Sequence, residues 1–280
     1  MKALPFKIPK PTSDALIYQE DKAYVLYDRL HQHKEIQISY IKEGEGTLIV
    51  GDTISNYKKG DVLAIGSNLP HVFKSETQQN IKSHMLTLFF TEEGFGDNFF
   101  RLEELSELKA FFNNVSYGFK VVPENVELAN AFLGLKSKSK LERFTTLLQV
   151  LKLLSVSKQY ALSSYNYSKQ YTTDEGKRMQ DVMSYTMDYY YENITLDTVS
   201  DVANMTKNAF CKYFKRRTNK TYIQFLNELR IEQACKLLLK QGDLSIAEIA
   251  FRSGFRNVSN FNRQFKIVKK TTPFAYKSEH

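Results

Sequence analysis

Tryptophan is absent from this chain of 280 residues, and cysteine occurs only twice. Two cysteines cannot build a disulfide framework, which excludes a small stapled fold. No apolar run approaches the roughly 18 residues that a membrane-spanning helix needs. The opening stretch, MKALPFKIPKPTSD, has no apolar core of signal-peptide length. A soluble, cytoplasmic protein without membrane contact is the expectation. Catalytic signatures are missing too: there is no phosphate-cradling glycine-rich loop, no nucleophile elbow and no paired-cysteine motif. The last absence is local. Residues 206–220 and 252–270 contain no acidic residue.

Those two segments hold much of what the chain does have. The first carries Lys207, Lys212, Lys215, Arg216, Arg217 and Lys220; the second carries Arg252, Arg256, Arg263, Lys266, Lys269 and Lys270. The net charge of the whole chain is +8, and outside these segments the C-terminal third is acidic. Positive charge concentrated in this way suits a polyanion, because each neutralised phosphate releases counterions. A pair of solvated helix faces would look similar if only one such segment existed.

With 42% hydrophobic residues the chain can bury real cores. Residues 15–95 are rich in short β-type runs, such as IQISYI, GTLIV and DVLAIG, separated by Gly, Asp and Asn. Residues 99–160 change to helical spacing. Leu102, Leu105, Leu108 and Phe112 make one stripe, and Leu141, Phe144, Leu148 and Leu151 make another. The second stripe suits either a dimer seam or a helix laid on its own β-domain. Residues 161–174, ALSSYNYSKQYTTD, read as a linker, and from Glu175 the pattern is helical to the end. The expected organisation is therefore a domain over 1–160, a linker over 161–174 and an all-helical domain over 175–280.

The acid-free segments are two copies of one pattern. FCKYFK (210–215) and FNRQFK (261–266) each read Phe, any residue, base, any residue, Phe, Lys. Upstream, Ser200 and Ala250 supply small residues, Asn204 and Gly254 tolerate a left-handed turn, and Met205 and Phe255 follow as apolar anchors. This is the shape of a helix-turn-helix, present twice. The offset between copies is 50 in the first helix and 51 in the second, so the second turn is one residue longer. Phe210, Phe214, Phe261 and Phe265 face inward. The other face carries Lys207, Asn208, Cys211, Lys212, Lys215 and Arg216 in the first copy. The second presents Arg256, Asn257, Ser259, Asn260, Asn262, Arg263 and Lys266. These are the amides, hydroxyls and bases that base edges and phosphates require. Cys211 beside Lys212 is also a candidate for redox sensing, against a passive surface role.

The blocks ITLDTVSDVANMTKNAFCKYFKRRT, LRIEQACKLLL, LSIAEIAFRSGFRN and FNRQFK resemble the DNA-binding domain of the AraC/XylS family of bacterial transcription regulators. The resemblance implies two helix-turn-helix units joined by a long helix, about Phe225 to Lys240, reading successive major grooves of double-stranded DNA. It leaves room for contact with RNA polymerase and for a homodimer through Leu141, Phe144, Leu148 and Leu151. The family usually has glycine after each recognition helix; here Asn219 and Lys270 stand there.

The front domain resembles a cupin β-barrel. His31, His33, Gln37 and Gly44 fall in the register of the first cupin motif, and Gly60 to His71 fits the second. EGEGTLIVGD and YKKGDVLAIGSNLPHVF are similar to effector domains of the regulator family. Gln37 replaces the acidic metal ligand, so no resident metal or cofactor is expected. An unliganded barrel, a weak three-histidine metal site and an organic-effector pocket all stay open. The pocket would be lined by His31, His33, Gln37, Ser39, His71 and Phe73, with Ile36, Ile38 and Tyr40 on the opposite strand face. The functional expectation is a non-enzymatic DNA-binding regulator with a small-molecule effector. The alternative is a metal-dependent cupin enzyme with an accessory nucleic-acid-binding region.

Overall fold

The computed structural model describes residues 14–76, 82–121, 126–164, 171–240 and 244–279. The chain forms two compact units, Met1–Gly176 and Lys177–His280.

The first unit opens with seven strands: β1 (Leu16–Ala23), β2 (Ile36–Glu43), β3 (Gly46–Val50), β4 (Thr53–Tyr57), β5 (Val62–Ile65), β6 (His71–Ser75) and β7 (Ser83–Phe90). Helix α1 (Lys109–Val115), strand β8 (Phe119–Val121), helices α2 (Val126–Leu133) and α3 (Lys140–Val156) and strand β9 (Gln159–Ala161) follow. A six-stranded sheet runs β1-β7-β2-β5-β8-β9, and a three-stranded sheet runs β4-β3-β6. All the pairings are antiparallel.

Strand alternation sorts the six-stranded sheet into two faces. Ile36, Ile38 and Tyr40 of β2, Val62 and Ala64 of β5, and Leu86, Leu88 and Phe90 of β7 share one core with Phe111, Phe132, Leu147, Val150, Leu151 and Leu154 of the helices. Leu63, Ile65 and Met85 point the other way and pack with Leu48, Val50, Tyr57 and Phe73 of the smaller sheet. The helices thus cover the Ile36 face of the larger sheet.

Three expectations change in this unit. The stripe from Leu102 to Phe112 is not one helix: Phe99–Arg101 and Glu103–Leu108 are short 3₁₀ turns before α1. They wrap around an aromatic cluster in which Phe95, Phe99, Phe100 and Phe112 meet ring to ring. Second, the expected dimer seam on α3 is mostly internal. A capping box between Ser139 and Glu142 starts the helix. Its buried stripe is Leu147, Val150, Leu151 and Leu154, one notch around from the expected one. Leu151 is fully buried, Leu148 packs on the same core, and Phe144 lies 5.0 Å from Phe95 and 5.7 Å from Phe99. Leu141 alone stands out, 71% exposed. Third, the linker starts later. Ala161 closes β9, and Leu162 joins the core between the sheets. Ser163 Oγ and the Ser164 backbone N–H donate to Asp52 Oδ1 at 2.9 and 3.0 Å. The serines that suggest a linker thus satisfy a buried carboxylate. Residues 165–170 of the expected linker, and the opening residues 1–13, lie outside the described residues.

The second unit is helical. It receives α4 (Thr173–Tyr189), which begins just before it, then α5 (Leu196–Val202), α6 (Lys207–Thr218), α7 (Tyr222–Lys240), α8 (Ile246–Arg252), α9 (Val258–Lys269) and α10 (Pro273–Glu279). The connector α7 starts three residues earlier than expected, because Tyr222 is buried beneath Phe210 and Phe214. Among the described residues no helix is long and apolar enough to cross a membrane.

Candidate nucleic-acid interface

The two copies close in the same way. Thr195 caps α5 by accepting from the Thr198 N–H, and Ser245 caps α8 by accepting from the Glu248 N–H. After α5, Asn204 is left-handed at φ 50°, and Gly254 after α8 has φ 90°. The N–H of Met205 donates to the Ser200 carbonyl at 3.0 Å, and that of Phe255 to the Ala250 carbonyl at 3.0 Å. Such a bond five residues back, over a left-handed residue, is how a helix ends and reverses direction. The next caps are Thr206 and Asn257, and the left-handed residues that end α6 and α9 are Asn219 and Lys270. The 50-then-51 offset is therefore built into the backbone, with the extra residue in the second turn. Lys270 adopts the conformation that glycine takes most easily, at φ 59°.

Phe210 and Phe214, and likewise Phe261 and Phe265, are buried as expected. On the outer side of α6, Asn208, Lys212, Lys215 and Arg216 are exposed and Cys211 is half-buried. Lys207 Nζ stands 2.7 Å from Asp197 Oδ1. On α9, Ser259, Asn262, Arg263 and Lys266 are exposed, with Arg256 just before it. A groove of about 440 Å³ runs between Asn262, Arg263 and Lys266 and the start of α10 at Thr272, Pro273 and Phe274.

Two asparagines, one capping α9 and one in its first turn, are already committed. Asn257 Oδ1 accepts the Asn260 N–H at 2.7 Å as the helix cap, and Asn260 Oδ1 accepts from Arg263 Nη2 at 2.9 Å. An asparagine reads adenine with both its oxygen and its nitrogen. Asn208 and Asn262 therefore remain the exposed amides suited to that role, while Asn260 orients Arg263. Two bases are also turned inward. Lys220 Nζ pairs with Glu228 at 2.6 Å and Lys269 Nζ with Glu232 at 2.6 Å, both acids being on α7. Cys235 is buried in the same unit, and desolvation pushes its thiol up to about 12, so it is not a reactive thiolate at neutral pH.

In the first unit, His31, His33, Gln37, Ser39, His71 and Phe73 are all buried. None of the histidines lies on the β2 strand face with Gln37 and Ser39, where alternation would put His31 and His33: both precede that strand, and His31 bridges to His71 at the start of β6. Their rings gather nevertheless, His71 being 4.2 Å from His31 and 5.1 Å from His33. Each Nδ1 lies 2.8 Å from a backbone carbonyl: His31 on Arg29, His33 on Glu35 and His71 on Leu69. An Nδ1–H donated to a carbonyl leaves Nε2 as the nitrogen with a lone pair. The ligand atoms of the three lie within 4.8 Å of one another. Three neutral imidazoles are donors that a zinc-class ion accepts, so the donor set fits such an ion, but Gln37 supplies no negative charge. Gln37 Oε1 is 3.0 Å from His33 Nε2, and Gln37 Nε2 is 2.8 Å from Ser39 Oγ. Either His33 carries protons on both nitrogens, or the Gln37 amide is turned over and donates to it. The chain of contacts continues from Ser39 Oγ to Thr87 Oγ1 at 2.9 Å.

Sequence reasoning overlooked Tyr27, Thr87 and Phe89. Tyr27 lies edge-on to His31 at 4.4 Å, and Phe89 lies edge-on to His33 at 5.2 Å. Burial pushes the Tyr27 hydroxyl up to about 12. The alternation of Met85, Thr87 and Phe89 along β7 was the available signal for two of them.

A helix-turn-helix domain model matches residues 199–279, and a cupin domain model matches residues 27–87. An uncharacterized HTH-type transcriptional regulator of Bacillus subtilis, YdeC, is 23% identical over 259 residues, covering 90% of this chain and 86% of its own length. An HTH-type transcriptional regulator in the cgkA 5′ region of Pseudoalteromonas carrageenovora is 37% identical over 99 residues. That match covers 35% of this chain and 58% of the relative. The DNA-binding domain of the global transcriptional factor AdpA, solved in complex with a target DNA, is 28% identical. It covers 35% of this chain and 87% of its own, with a TM-score of 0.34.

Proposed function

We propose that this chain, which belongs to the AraC-type helix-turn-helix transcription regulators and carries a cupin domain in front, reads one DNA site with α6 and α9 together and is adjusted by a small molecule in its barrel. The reading residues are Asn208, Cys211, Lys212, Lys215 and Arg216 on α6. On and just before α9 they are Arg256, Ser259, Asn262, Arg263 and Lys266. The observation that carries this reading is the recurrence of closing bonds, caps and buried phenylalanine pairs at a fixed offset. It gives both helices an exposed polar and basic side, and the second helix of such a unit is the one that enters the major groove. Arg263, steered by Asn260, suits the O6 and N7 of a guanine; Lys215 and Lys266 suit phosphates.

In the barrel, His31, His33, Gln37, Ser39, His71 and Phe73, joined by Tyr27, Thr87 and Phe89, offer hydrogen-bonding groups between aromatic walls. That chemistry suits a small polar organic effector. A ligand that binds one arrangement of the protein better than another shifts the balance between them. The role is binding rather than catalysis. The homodimer expected from α3 loses most of its stripe to the chain's own core and is carried by Leu141.

Binding of the full chain to a panel of duplexes tests the DNA reading. Arg263→Ala should cost about 1–3 kcal/mol and relax preference at one base position. Equal loss on specific and random duplexes would overturn the assignment. A thermal-shift screen of small metabolites tests the effector reading, and a shift abolished by Gln37→Ala in a folded chain would support it.

A further inference from the structure

We propose that Arg230 is a positioning residue that fixes the separation and phase of the two recognition helices, so that the chain accepts its two DNA segments at one spacing only. This rests on the reading of α6 and α9 as DNA contacts.

Arg230 sits in the middle of α7, on neither recognition helix, and is half-buried. Its Nε donates to the Tyr190 carbonyl at 2.7 Å, and its Nη2 donates to the Glu192 carbonyl at 2.7 Å. Those carbonyls belong to the turn between α4 and α5. That turn runs straight into the first helix-turn-helix. The Ile194 N–H closes on Glu192 at 3.0 Å just before the Thr195 cap. The preceding helix is held by Thr186 Oγ1 against the Tyr222 hydroxyl at 2.9 Å, and Arg178 lies over the Tyr213 ring of α6 at 5.9 Å.

On its other side the same guanidinium touches the second helix-turn-helix. It lies 5.8 Å from the centre of the Phe255 ring, directly after the left-handed Gly254. Gly254 itself is pressed against the turn that leads into the first helix-turn-helix. A Cβ there would stand 2.6 Å from the Tyr190 carbonyl oxygen, 2.8 Å from Arg230 Nε and 2.9 Å from the Tyr191 Cα. Glycine is thus required twice at this position, for its φ and for the close approach. Three parts meet at one point: the entry turn of the first helix-turn-helix, the connector, and the reversing turn of the second helix-turn-helix. A planar guanidinium with two fixed N–H directions sets an angle between its partners, which a single flexible ammonium does not. Burial lowers the guanidinium's pKa, but arginine remains a cation at neutral pH, so both bonds persist.

The test uses the full chain and a duplex that the unaltered chain selects from a randomised pool. One or two base pairs are then inserted between the two recognised segments. Each inserted pair moves one segment by about 3.4 Å and turns it by roughly 35°. The unaltered chain should lose about 10- to 100-fold on a one-pair insertion, because one helix loses its base contacts. Arg230→Ala should narrow that ratio to about threefold or less, by weakening the original spacing while leaving the inserted duplexes as they were. Arg230→Lys should fall between, since it can serve one carbonyl. Tolerance of the insertion by the unaltered chain would overturn the proposal alone. So would a folded Arg230→Ala chain with undiminished discrimination. If Arg230→Ala loses its helical circular dichroism, Arg230→Gln, which keeps a planar donor group but not the two-armed cation, is read in its place, and undiminished discrimination in that folded chain would likewise overturn the proposal. Failure of the unaltered chain to select any sequence would overturn the DNA reading and this proposal with it.

Discussion

Lys215→Ala and Lys269→Met remove one positive charge each, both from acid-free recognition segments, yet the structure assigns them opposite consequences. Lys215 is exposed on the outer face of α6. Lys269 points inward to Glu232 at 2.6 Å, the two side chains being 21% and 9% exposed. The outward bases Lys212, Lys215, Arg216, Arg256, Arg263 and Lys266 suggest about six phosphate or base-edge contacts. The slope of log affinity against log salt should then be about −5, a loss of about 10³ between 50 and 200 mM. Lys215→Ala removes one contact and should make that slope shallower by about 0.9, so that the ratio of unaltered to altered affinity shrinks by about 3.5-fold across the same range. Lys269→Met should leave the slope alone. Its cost falls on folding instead, about 1–3 kcal/mol, because Glu232 is left nearly buried without its cation. Fluorescence anisotropy with a labelled duplex at several salt concentrations reads the slope, and thermal denaturation reads the stability. Equal slope changes from the two substitutions would mean that charge acts only as a diffuse field, and the sorting into outward and inward bases would be refuted.

Lys270→Gly should raise the melting temperature: a left-handed lysine costs about 1–2 kcal/mol, of which the greater freedom of glycine in the unfolded chain cancels about 0.4–1; a lower melting temperature would contradict this. Leu151→Asp places a carboxylate in a fully buried site and should unfold the first unit, with a loss of about 3 kcal/mol or more, whereas Leu141→Asp should leave it folded. Sedimentation of the Leu141→Asp chain at the mass of the unaltered chain would remove the remaining support for a dimer through α3. Elemental analysis of the full chain should find well under one divalent ion per chain, and Gln37→Glu should raise zinc retention by restoring an anionic ligand; stoichiometric metal in the unaltered chain would reverse the view of the barrel.

Much of the second unit was legible in the residues because its signals are local. A phenylalanine pair four apart, a small residue four before Asn204 or Gly254, and a doubled offset are all properties of one helix or one turn, and backbone sterics translate them directly into structure. The faces of β2 were readable for the same reason, since alternation along a strand needs no knowledge of its neighbours. What tertiary structure decided was which of two equally eligible partners each side chain takes. The α3 stripe carries apolar residues on adjoining rows, and only the position of the sheet and of Phe95 and Phe99 shows that Leu151 turns inward while Leu141 does not. Asn257 and Asn262 are the same residue type five positions apart, but Asn257 falls just before α9, where the first N–H groups need an acceptor, and is spent as its cap. Lys269 and Lys266 differ in their distance from Glu232, a residue more than thirty positions away. Ser163 and Ser164 look like linker until Asp52, more than a hundred positions earlier, needs their donors. Composition and spacing determine which residues can bury, cap or bind; the long-range arrangement of the chain determines which of those they do, because burial and pairing are settled between segments that the local sequence does not contain.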